Sequence, residues 1–290
     1  MAFERALGPG LRVPCTPELN LPLWELGHIG WFADWWIARF PERDRGESAH
    51  PDAWRSPARQ AARGIDADAL YNSSTVPHDS RWSLRLPDLA DTRADLAASL
   101  ADTLRLLAQA PETDAGLYFF RLALFHEDMH AEAWVNMAQT LGIDPGETSP
   151  PPPCTPAAAL LLDAGEWTLG HAGPGFAFDN ERGQQVVPVD AFEIDALPVS
   201  WARDLPAVQA GAVPVPRHVQ RAEQGWRVWR HGRWQPLDLH APACHIGATE
   251  ARAWCDWAGR RLPTEAEWEL AAHTARGFEW GQVWEWTASA

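Results

Sequence analysis

The run of prolines within residues 149–156 is the feature that most constrains the fold of this chain. Consecutive prolines cannot continue a helix or a central strand, and they favour a stiff, extended linker. The sequence before the run has helical periodicity, whereas the sequence after it is rich in turns and glycines. With 290 residues, the chain is long enough for two cores. We therefore predict a helical domain over residues 1–148, a linker over 149–156 and a second domain over 157–290.

Three long helices are predicted in the first half from apolar residues that recur at intervals of three and four. They cover about Leu21–Phe40, Leu89–Gln109 and Asp114–Gly142. Asn20 is predicted to cap the first helix, and a weaker helical pattern covers Pro57–Arg63. The second helix is expected to bury a leucine stripe, formed by Leu89, Leu96, Leu100 and Leu107. Three or four amphipathic helices of this length predict a helical bundle.

The second half contains short elements of both kinds. Alternating residues predict strands at about Gly165–Gly170 and Phe192–Asp195. A helix is expected over Ala248–Ala258, and another begins after Thr264, which can form a capping box with the glutamate three residues later. No clear period covers residues 204–240, which stay unassigned. This mixture predicts an α+β domain.

The charge and cysteine content exclude several classes of protein. The net charge is −15, which makes nucleic acid an unexpected partner. No stretch approaches the roughly 18 apolar residues of a membrane span, and the N-terminus lacks a signal-peptide pattern. The four cysteines are too scattered for a zinc ribbon, a redox pair or a disulfide framework. We therefore expect a soluble, cytoplasmic protein without a nucleic-acid or membrane partner.

Three histidines are the residues that most suggest chemistry. His126 and His130 lie four residues apart on a predicted helix, so both imidazoles project from one face at a spacing that suits one metal ion. His28 lies on the apolar face of the first helix, and inward positions of bundles are where metal sites are built. Three imidazoles would leave about three octahedral positions open, as in oxygen-activating Fe(II) enzymes. The alternative is that these histidines are structural residues with hydrogen-bonded rings.

Two groups of motifs resemble known families. The segments Trp24–Phe32 and His126–Glu132 resemble the N-terminal DinB-like bundle of ergothioneine-type sulfoxide synthases. Three later segments look like the formylglycine-generating-enzyme domain, which is C-type-lectin-like: Phe192–Ser200, Trp254–Glu269 and Gly281–Thr287. The two domains in this order resemble the synthase family. The expected fold is therefore a DinB-like four-helix bundle followed by a C-type-lectin-like, formylglycine-generating-enzyme-like domain.

This resemblance implies a cofactor and a reaction. In the family three histidines bind Fe(II), and the matching residues here are His28, His126 and His130. The family uses dioxygen to join C2 of the imidazole ring of hercynine to a chalcogen donor, which gives a sulfoxide or a selenoxide. The expected partners are therefore small molecules, namely hercynine, the donor and dioxygen. Glu132 is predicted to orient an imidazole from behind the ligands.

The donor is predicted from a smaller set of residues. Family members that take gamma-glutamylcysteine commonly carry a glutamine that contacts hercynine, and this chain has Met129 at that position. The segment Tyr71–Trp82 looks more like the selenoneine synthase branch, whose donor is a selenosugar. Arg81 and Arg85 are expected to contact the donor, or else to lie on the surface. A selenosugar is thus predicted, with gamma-glutamylcysteine or cysteine as the alternative.

Other interpretations use the same residues differently. A DinB-like bundle could bind zinc and transfer a thiol, and a lectin-like binding protein could use the histidines structurally. A formylglycine-generating enzyme would need a cysteine pair near its C-terminus, which Cys244 and Cys255 do not match. The synthase family also continues past the motif Gly281–Thr287, and its later strands supply catalytic residues. We therefore expect the second domain to lack its C-terminal part and leave the catalytic residues unassigned.

Overall fold

The computed structural model describes residues 2–146 and 149–289, which divide into two compact units. The first, called the helical unit, consists of the described residues up to Gly146 together with Gly173–Phe178. The second, called the mixed unit, consists of the other described residues. The helical unit ends close to the proline run, where the composition of the sequence changes.

Helices provide the regular structure described in the helical unit. The α-helices are α1 Ala2–Leu7, α2 Pro22–Ala33, α3 Ala67–Tyr71, α4 Leu89–Leu107 and α5 Asp114–Leu141. Short helices of other types lie at Asp34–Ala38, Arg43–Ser48, Arg59–Arg63 and His78–Ser83. Helix α2 packs against α4 and α5, and α4 also contacts α5. The three long helices are therefore confirmed, and the weak pattern near residue 60 forms only a short 3-10 helix.

Two tryptophans of α2 anchor the core of this unit. Trp24 and Trp31 are both buried, and each indole N–H has an acceptor. Trp24 donates to the carbonyl of Leu70 at 2.7 Å, and Trp31 donates to Asp68 at 2.7 Å. Because the indole nitrogens are satisfied, burial of these large rings carries no cost for an unpaired donor. These contacts hold α2 against α3.

The start of α2 differs from the prediction. Leu21 rather than Asn20 occupies the N-cap position, and no side chain caps the helix. The side-chain amide of Asn20 instead accepts from Arg81 at 3.0 Å and donates to Glu25 at 3.3 Å. The prediction that Asn20 caps the helix is therefore wrong, because its amide joins these two charged side chains.

The end of the predicted first helix also changes character. After Ala33 the chain forms a π-helical turn, in which the N–H of Arg39 donates to the carbonyl of Asp34 at 2.8 Å. The carboxylate of Asp34 is buried and accepts from Arg59 at 2.7 Å and from Ser99 at 2.8 Å. The wider turn thus lies where a buried charge is satisfied by an ion pair and a hydrogen bond.

The leucine stripe predicted for α4 is only half buried. Leu89 lies in the core and Leu96 packs against it, whereas Leu100 and Leu107 are exposed. The buried face of α4 also uses polar residues and a different leucine towards its end, namely Thr92, Ser99 and Leu106. The stripe prediction is therefore wrong for the last turns of α4. Because the buried face of this helix includes polar residues, the positions of the leucines alone do not show which face is buried.

Three α-helices, a short 3-10 helix at Asp179–Glu181 and three small antiparallel sheets provide the regular structure in the described part of the mixed unit. The helices are α6 Trp201–Gln209, α7 Ala248–Ala258 and α8 Glu265–Thr274. The strands are β1 Leu160–Leu162, β2 Gly165–Leu169, β3 Gln185–Val189, β4 Phe192–Ile194, β5 Val219–Ala222, β6 Gly225–Arg230 and β7 Arg233–Pro236. Strand β1 pairs with β4, β2 pairs with β3, and β5, β6 and β7 form a meander. The predicted mixture of helices and strands is confirmed.

In the mixed unit, capping residues predict the helix ends well, whereas sequence periodicity does not reveal the short strands. The capping box of α8 is confirmed, since Glu267 donates its N–H to the hydroxyl of Thr264 at 3.2 Å and accepts from the Thr264 N–H at 2.8 Å. Helix α7 covers Ala248–Ala258 as predicted, and Gly259, which follows it, lies in the left-handed region. The unassigned residues 204–240 contain most of α6 and the whole β5–β7 meander. Strands of four to six residues are too short to show a clear period.

The segment Gly173–Phe178 belongs to the helical unit, although the predicted boundary placed it in the second domain. The ring of Phe176 lies 5.0 Å from the ring of Phe125, and Phe178 lies 6.1 Å from the same ring. The hydroxyl of Tyr118 donates to the carbonyl of Ala177 at 3.3 Å. Aromatic packing against α5 therefore explains the difference.

Two further expectations concern the chain as a whole. The cysteines are free thiols, and they are Cys15, Cys154, Cys244 and Cys255. Among residues 2–146 and 149–289, no helix has the length and apolar character needed to span a membrane.

Candidate metal centre

Three histidine side chains converge inside the helical unit. His28 comes from α2, and His126 and His130 come from successive turns of α5. The Nε2 atom of His126 lies 3.1 Å from Nε2 of His28 and 3.2 Å from Nε2 of His130. One potential ligand atom from each residue lies within 4.8 Å of the other two. The structure therefore brings together the three residues that the sequence singled out, called the histidine centre below.

Backbone structure holds His28 in place. The side chain is 4% exposed, and its Nδ1 donates to the carbonyl of Tyr71 at 2.8 Å. A neutral imidazole has one N–H, so this bond leaves the lone pair on Nε2. Gly27 permits the arrangement, because a Cβ at this position would overlap the ring of Tyr71.

Glu25 holds His130. Nδ1 of His130 donates to Oε1 of Glu25 at 2.7 Å, and Glu25 is only 1% exposed. The lone pair of His130 is thereby also left on Nε2. Sequence analysis missed Glu25, although a signal was present. Glu25 precedes His28 by three residues on α2, and a glutamate and a histidine at this spacing share a helix face in known bundle metal sites.

Aromatic packing restrains two of the rings. The ring of His126 stacks on Phe32, with a centroid distance of 3.6 Å and an interplanar angle of 7°. His28 stacks on Trp24 at 4.8 Å and 9°. Because each imidazole is clamped by an aromatic ring, little reorientation accompanies ligand binding, which favours a preformed site.

Burial keeps two of the imidazoles neutral. The pKa of His28 is lowered to about 4, mainly by loss of hydration and also by the nearby His130 and Arg81, while the bond to Tyr71 opposes this shift. The pKa of His126 is likewise lowered to about 3, mainly by loss of hydration and also by the other two histidines. A metal ion binds only neutral imidazole, so near pH 7 protons do not compete at these two rings.

The donor set fits a divalent first-row metal ion. Two nitrogen ligands at about 2.1 Å from one ion are about 3.0 Å apart at a 90° angle and about 3.4 Å apart at a tetrahedral angle. The observed separations of 3.1 and 3.2 Å fall within this range. Two of the rings direct lone pairs towards the third, and a cation between them would satisfy all three. Neutral nitrogen ligands of this kind suit iron and zinc.

The other predicted site residues occupy different surroundings. Met129 is half exposed on α5, and Glu132 is exposed one half-turn beyond the second histidine of that helix. The guanidinium of Arg81 lies 3.8 Å from the ring centroid of Trp24, whereas Arg85 is exposed. The orienting role of Glu132 and the donor contacts of the two arginines stay predictions.

A second concave region lies within the mixed unit. This cleft has a volume of about 640 Å³, and its lining includes Asp204, Trp254 and Glu285. Asp204 is 3% exposed, and burial, aided by the charge of Glu250, raises its pKa to about 6. Burial also raises the pKa of Glu285. One carboxylate oxygen of Asp204 and one of Glu285 lack a hydrogen-bond partner in the described structure. The sequence analysis singled out neither residue.

Comparisons with known proteins support the two-part resemblance. The chain is similar to the hercynine oxygenase of Mycolicibacterium smegmatis, with 30% identity over 300 residues that cover 92% of this chain and 66% of that protein. It is similar to the hercynine oxygenase of Mycobacterium tuberculosis, with 30% identity over 303 residues, 91% of this chain and 66% of that protein. The formylglycine-generating enzyme of Mus musculus is 30% identical over 171 residues, which are 47% of this chain and 46% of that protein.

The chain spans only 64–66% of the length of the hercynine oxygenases that it matches. The sulfatase-modifying factor enzyme 1-like domain matches residues 146–290, which confirms the predicted formylglycine-generating-enzyme-like domain. Because this match covers half of the sequence, the chain belongs to the family defined by the sulfatase-modifying factor enzyme 1-like domain.

Proposed function

We propose that this chain is a non-haem Fe(II), dioxygen-dependent synthase that acts on hercynine. It would join C2 of the hercynine imidazole to the selenium of a selenosugar and form a hercynyl selenoxide on the way to selenoneine. The observation that carries the proposal is the convergence of three imidazole Nε2 atoms in the helical unit. The 30% identity to proteins named hercynine oxygenase, over 92% of the chain, supports the choice of substrate.

The proposed reaction is balanced with one dioxygen. The C2–H bond of hercynine and the Se–H bond of the donor break, and a C–Se bond and an Se=O bond form. One oxygen atom enters the selenoxide, and the other leaves as water with the two hydrogens. Four electrons pass to dioxygen, two from formation of the C–Se bond and two from oxidation of selenium.

The histidine centre provides the protein's part of this chemistry. His28, His126 and His130 would hold Fe(II), which when bound supplies Lewis acidity and redox chemistry for dioxygen. Three protein ligands leave open positions for small molecules. The aromatic rings of Trp24 and Phe32 stack on two of these histidines and would restrain the ligands of the ion.

The choice of donor rests on residues near the centre. Met129 lies next to a ligand histidine and is half exposed, and its thioether makes no strong hydrogen bond. Arg81 already donates to Asn20, and Arg85 is exposed. Because Arg81 is engaged in this way, these two described arginines do not offer a ready pair for a peptide carboxylate, which supports a sugar donor. Gamma-glutamylcysteine or cysteine is the alternative donor.

Oxygen uptake by the Fe(II)-loaded chain would test the proposal. The protein is loaded anaerobically and mixed with hercynine, and selenosugar, thiosugar or gamma-glutamylcysteine is added in turn. Uptake coupled to a hercynyl selenoxide, identified by mass, is the expected result. Uptake only with a sulfur donor would replace the selenium assignment with the sulfur alternative.

Two controls make the result specific to the histidine centre. His126→Ala should abolish uptake, whereas His50→Ala, which alters an exposed histidine elsewhere in the helical unit, should not. No uptake with any donor, together with tighter binding of zinc than of iron, would overturn the proposal in favour of a zinc-dependent thiol transferase. Failure to bind either metal would instead favour a non-catalytic lectin-like protein.

A further inference from the structure

We infer that Glu25 is a positioning residue for the metal ion of the histidine centre. Glu25 fixes His130 with its proton on Nδ1, so that Nε2 directs its lone pair towards His28 and His126. The inference rests on the proposed function only in that it assumes a bound metal ion. The contact between Glu25 and His130 is given directly by the structure.

The contact has the properties of a strong orienting hydrogen bond. The distance of 2.7 Å from Nδ1 to Oε1 lies in the range of bonds to an ionised acceptor. Glu25 is 1% exposed, so water cannot replace the imidazole as the donor. Rotation of the ring or movement of its proton to Nε2 would remove a donor from a buried carboxylate, which is costly.

A chain of hydrogen bonds holds Glu25 itself. Asn20 donates its amide to Oε1 of Glu25 at 3.3 Å, and Arg81 donates to the amide oxygen of Asn20 at 3.0 Å. The guanidinium of Arg81 lies over Trp24 at 3.8 Å. Asn20 thus bridges a cation and the carboxylate oxygen that accepts from His130, which restrains this oxygen through a second donor. This explains why Asn20 is not used to cap α2.

The three ligands differ in what sets their orientation. A backbone carbonyl, which no substitution removes, accepts from His28. An aromatic ring stacks on His126. For His130 the acceptor is a side chain, so a single substitution can release the orientation of this ligand without changing a ligand. When a carboxylate that accepts from a metal-bound histidine is removed by substitution, metal affinity typically falls by about 10–100-fold.

Measurements on the full chain with and without metal would test the inference. Long-range nitrogen–proton NMR of the metal-free protein should show the Nδ1–H form of His130, and Glu25→Ala should convert it to a mixture or to the Nε2–H form. Glu25→Ala should also weaken binding of Co(II) and Fe(II), measured by chelator competition, by about 10–100-fold. Glu25→Gln, which keeps an acceptor oxygen, should restore part of both properties.

Asp128→Asn is the matched control, because it removes an exposed carboxylate from the turn of α5 between the two ligands. It should leave both the tautomer and the metal affinity unchanged. A wild-type tautomer and wild-type metal affinity in Glu25→Ala would overturn the inference. Equal loss in Glu25→Ala and Glu25→Gln without any tautomer change would also overturn it, since that pattern indicates a merely structural role. Absence of metal binding by the unmodified chain would instead defeat the proposed function.

Discussion

The histidine centre of the helical unit and the cleft of the mixed unit both hold titratable side chains away from water. Burial lowers the pKa of His28 and His126 in the centre, and it raises the pKa of Asp204 and Glu285 in the cleft. Both shifts favour the neutral form of the group. The two regions differ in how their potential ligand atoms are arranged. In the centre, the Nδ1 atoms of His28 and His130 donate to fixed acceptors. One carboxylate oxygen lacks a hydrogen-bond partner in Glu25 of the centre, as in Asp204 and Glu285 of the cleft.

This difference distinguishes the histidine centre, which is a candidate binding site, from the cleft, where the burial of acidic side chains is destabilising. In the histidine centre, one potential ligand atom from each of three histidines converges on the same point. In the cleft, no cluster of three potential ligands occurs among the described residues. A shifted pKa in a concave region is therefore not enough to identify a binding site. The convergence of several potential ligand atoms is the feature that identifies the histidine centre as a candidate.

Removal of a ligand should have the largest effect. We expect His126→Ala and His130→Ala to lower the affinity for Fe(II) or Co(II) by at least about 100-fold, because two imidazoles bind far more weakly than three. Both variants should remain folded, since the core of the helical unit is built mainly from Trp24, Trp31 and leucines. Chelator competition and circular dichroism would measure the two properties. Global unfolding, or unchanged metal affinity, would contradict the view of the centre as a metal site.

Replacement of Asp204 by a neutral residue should show how much the burial of an acid in the cleft contributes to the pH dependence of stability. Because its pKa rises from 3.8 to about 6 on folding, the native state holds the proton more tightly than the unfolded chain. The corresponding stability is present below about pH 4 and is lost as the pH rises through about 6. We expect a loss of about 3 kcal/mol over this window in the original chain, and a much smaller loss in Asp204→Asn.

Thermal and denaturant unfolding between pH 4 and 7 would measure this dependence. Asp256→Asn, which alters an exposed carboxylate on α7, is the matched control and should retain the original pH profile. An Asp204→Asn profile that coincides with that of the original chain would mean that Asp204 titrates normally. The cleft would then no longer contrast with the histidine centre as a region of costly burial.

The sequence predicts the ligands of the centre better than the residues that orient them. His126 and His130 are found from helical spacing, and His28 from its place on an apolar helix face. Tyr71 could not be found in this way, because its contribution is a backbone carbonyl that any residue could provide. Glu25 was missed because its side chain is buried in the fold, whereas glutamate is normally a surface residue.

Fold prediction shows a similar division. Long helices such as α4 and α5 contain enough turns for their periodicity to be clear, and their predicted bounds agree with the structure to within two residues. The meander of residues 219–236 consists of strands too short for such a signal. Segment Gly173–Phe178 packs against α5 through contacts between residues far apart in the chain. Local pattern analysis cannot detect contacts of that kind.

Gly27→Ala should perturb the histidine centre through its backbone support. The added methyl would overlap the ring of Tyr71, whose carbonyl accepts from His28. We expect a loss of about 1–3 kcal/mol in unfolding free energy, as for other overpacked sites, together with weaker metal binding. Gly30→Ala is the matched control on the same helix, since its methyl would meet Leu96 at 3.4 Å.

Denaturant unfolding and chelator competition would compare the two variants. Gly30→Ala should be neutral, or more stable by up to about 1 kcal/mol, because alanine favours the helix. Equal stability of the two variants would show that Tyr71 can move aside at no cost. The orientation of His28 would then be less tightly fixed than that of His130.

Met129→Gln should have the smallest effect and should act on substrate rather than on metal. Met129 is half exposed beside His130, so the glutamine amide can extend to a bound small molecule without entering the core. One new hydrogen bond contributes about 0.5–1.5 kcal/mol, which corresponds to roughly a 2–10-fold change in the affinity for hercynine or the donor. Metal affinity should remain unchanged, which distinguishes this residue from Glu25.

Titration of the metal-loaded protein with hercynine, together with steady-state kinetics for both substrates, would measure the effect. Unchanged values for both substrates would show that the open side of the histidine centre does not face Met129, and the substrate position would have to be sought on another side of the three imidazoles.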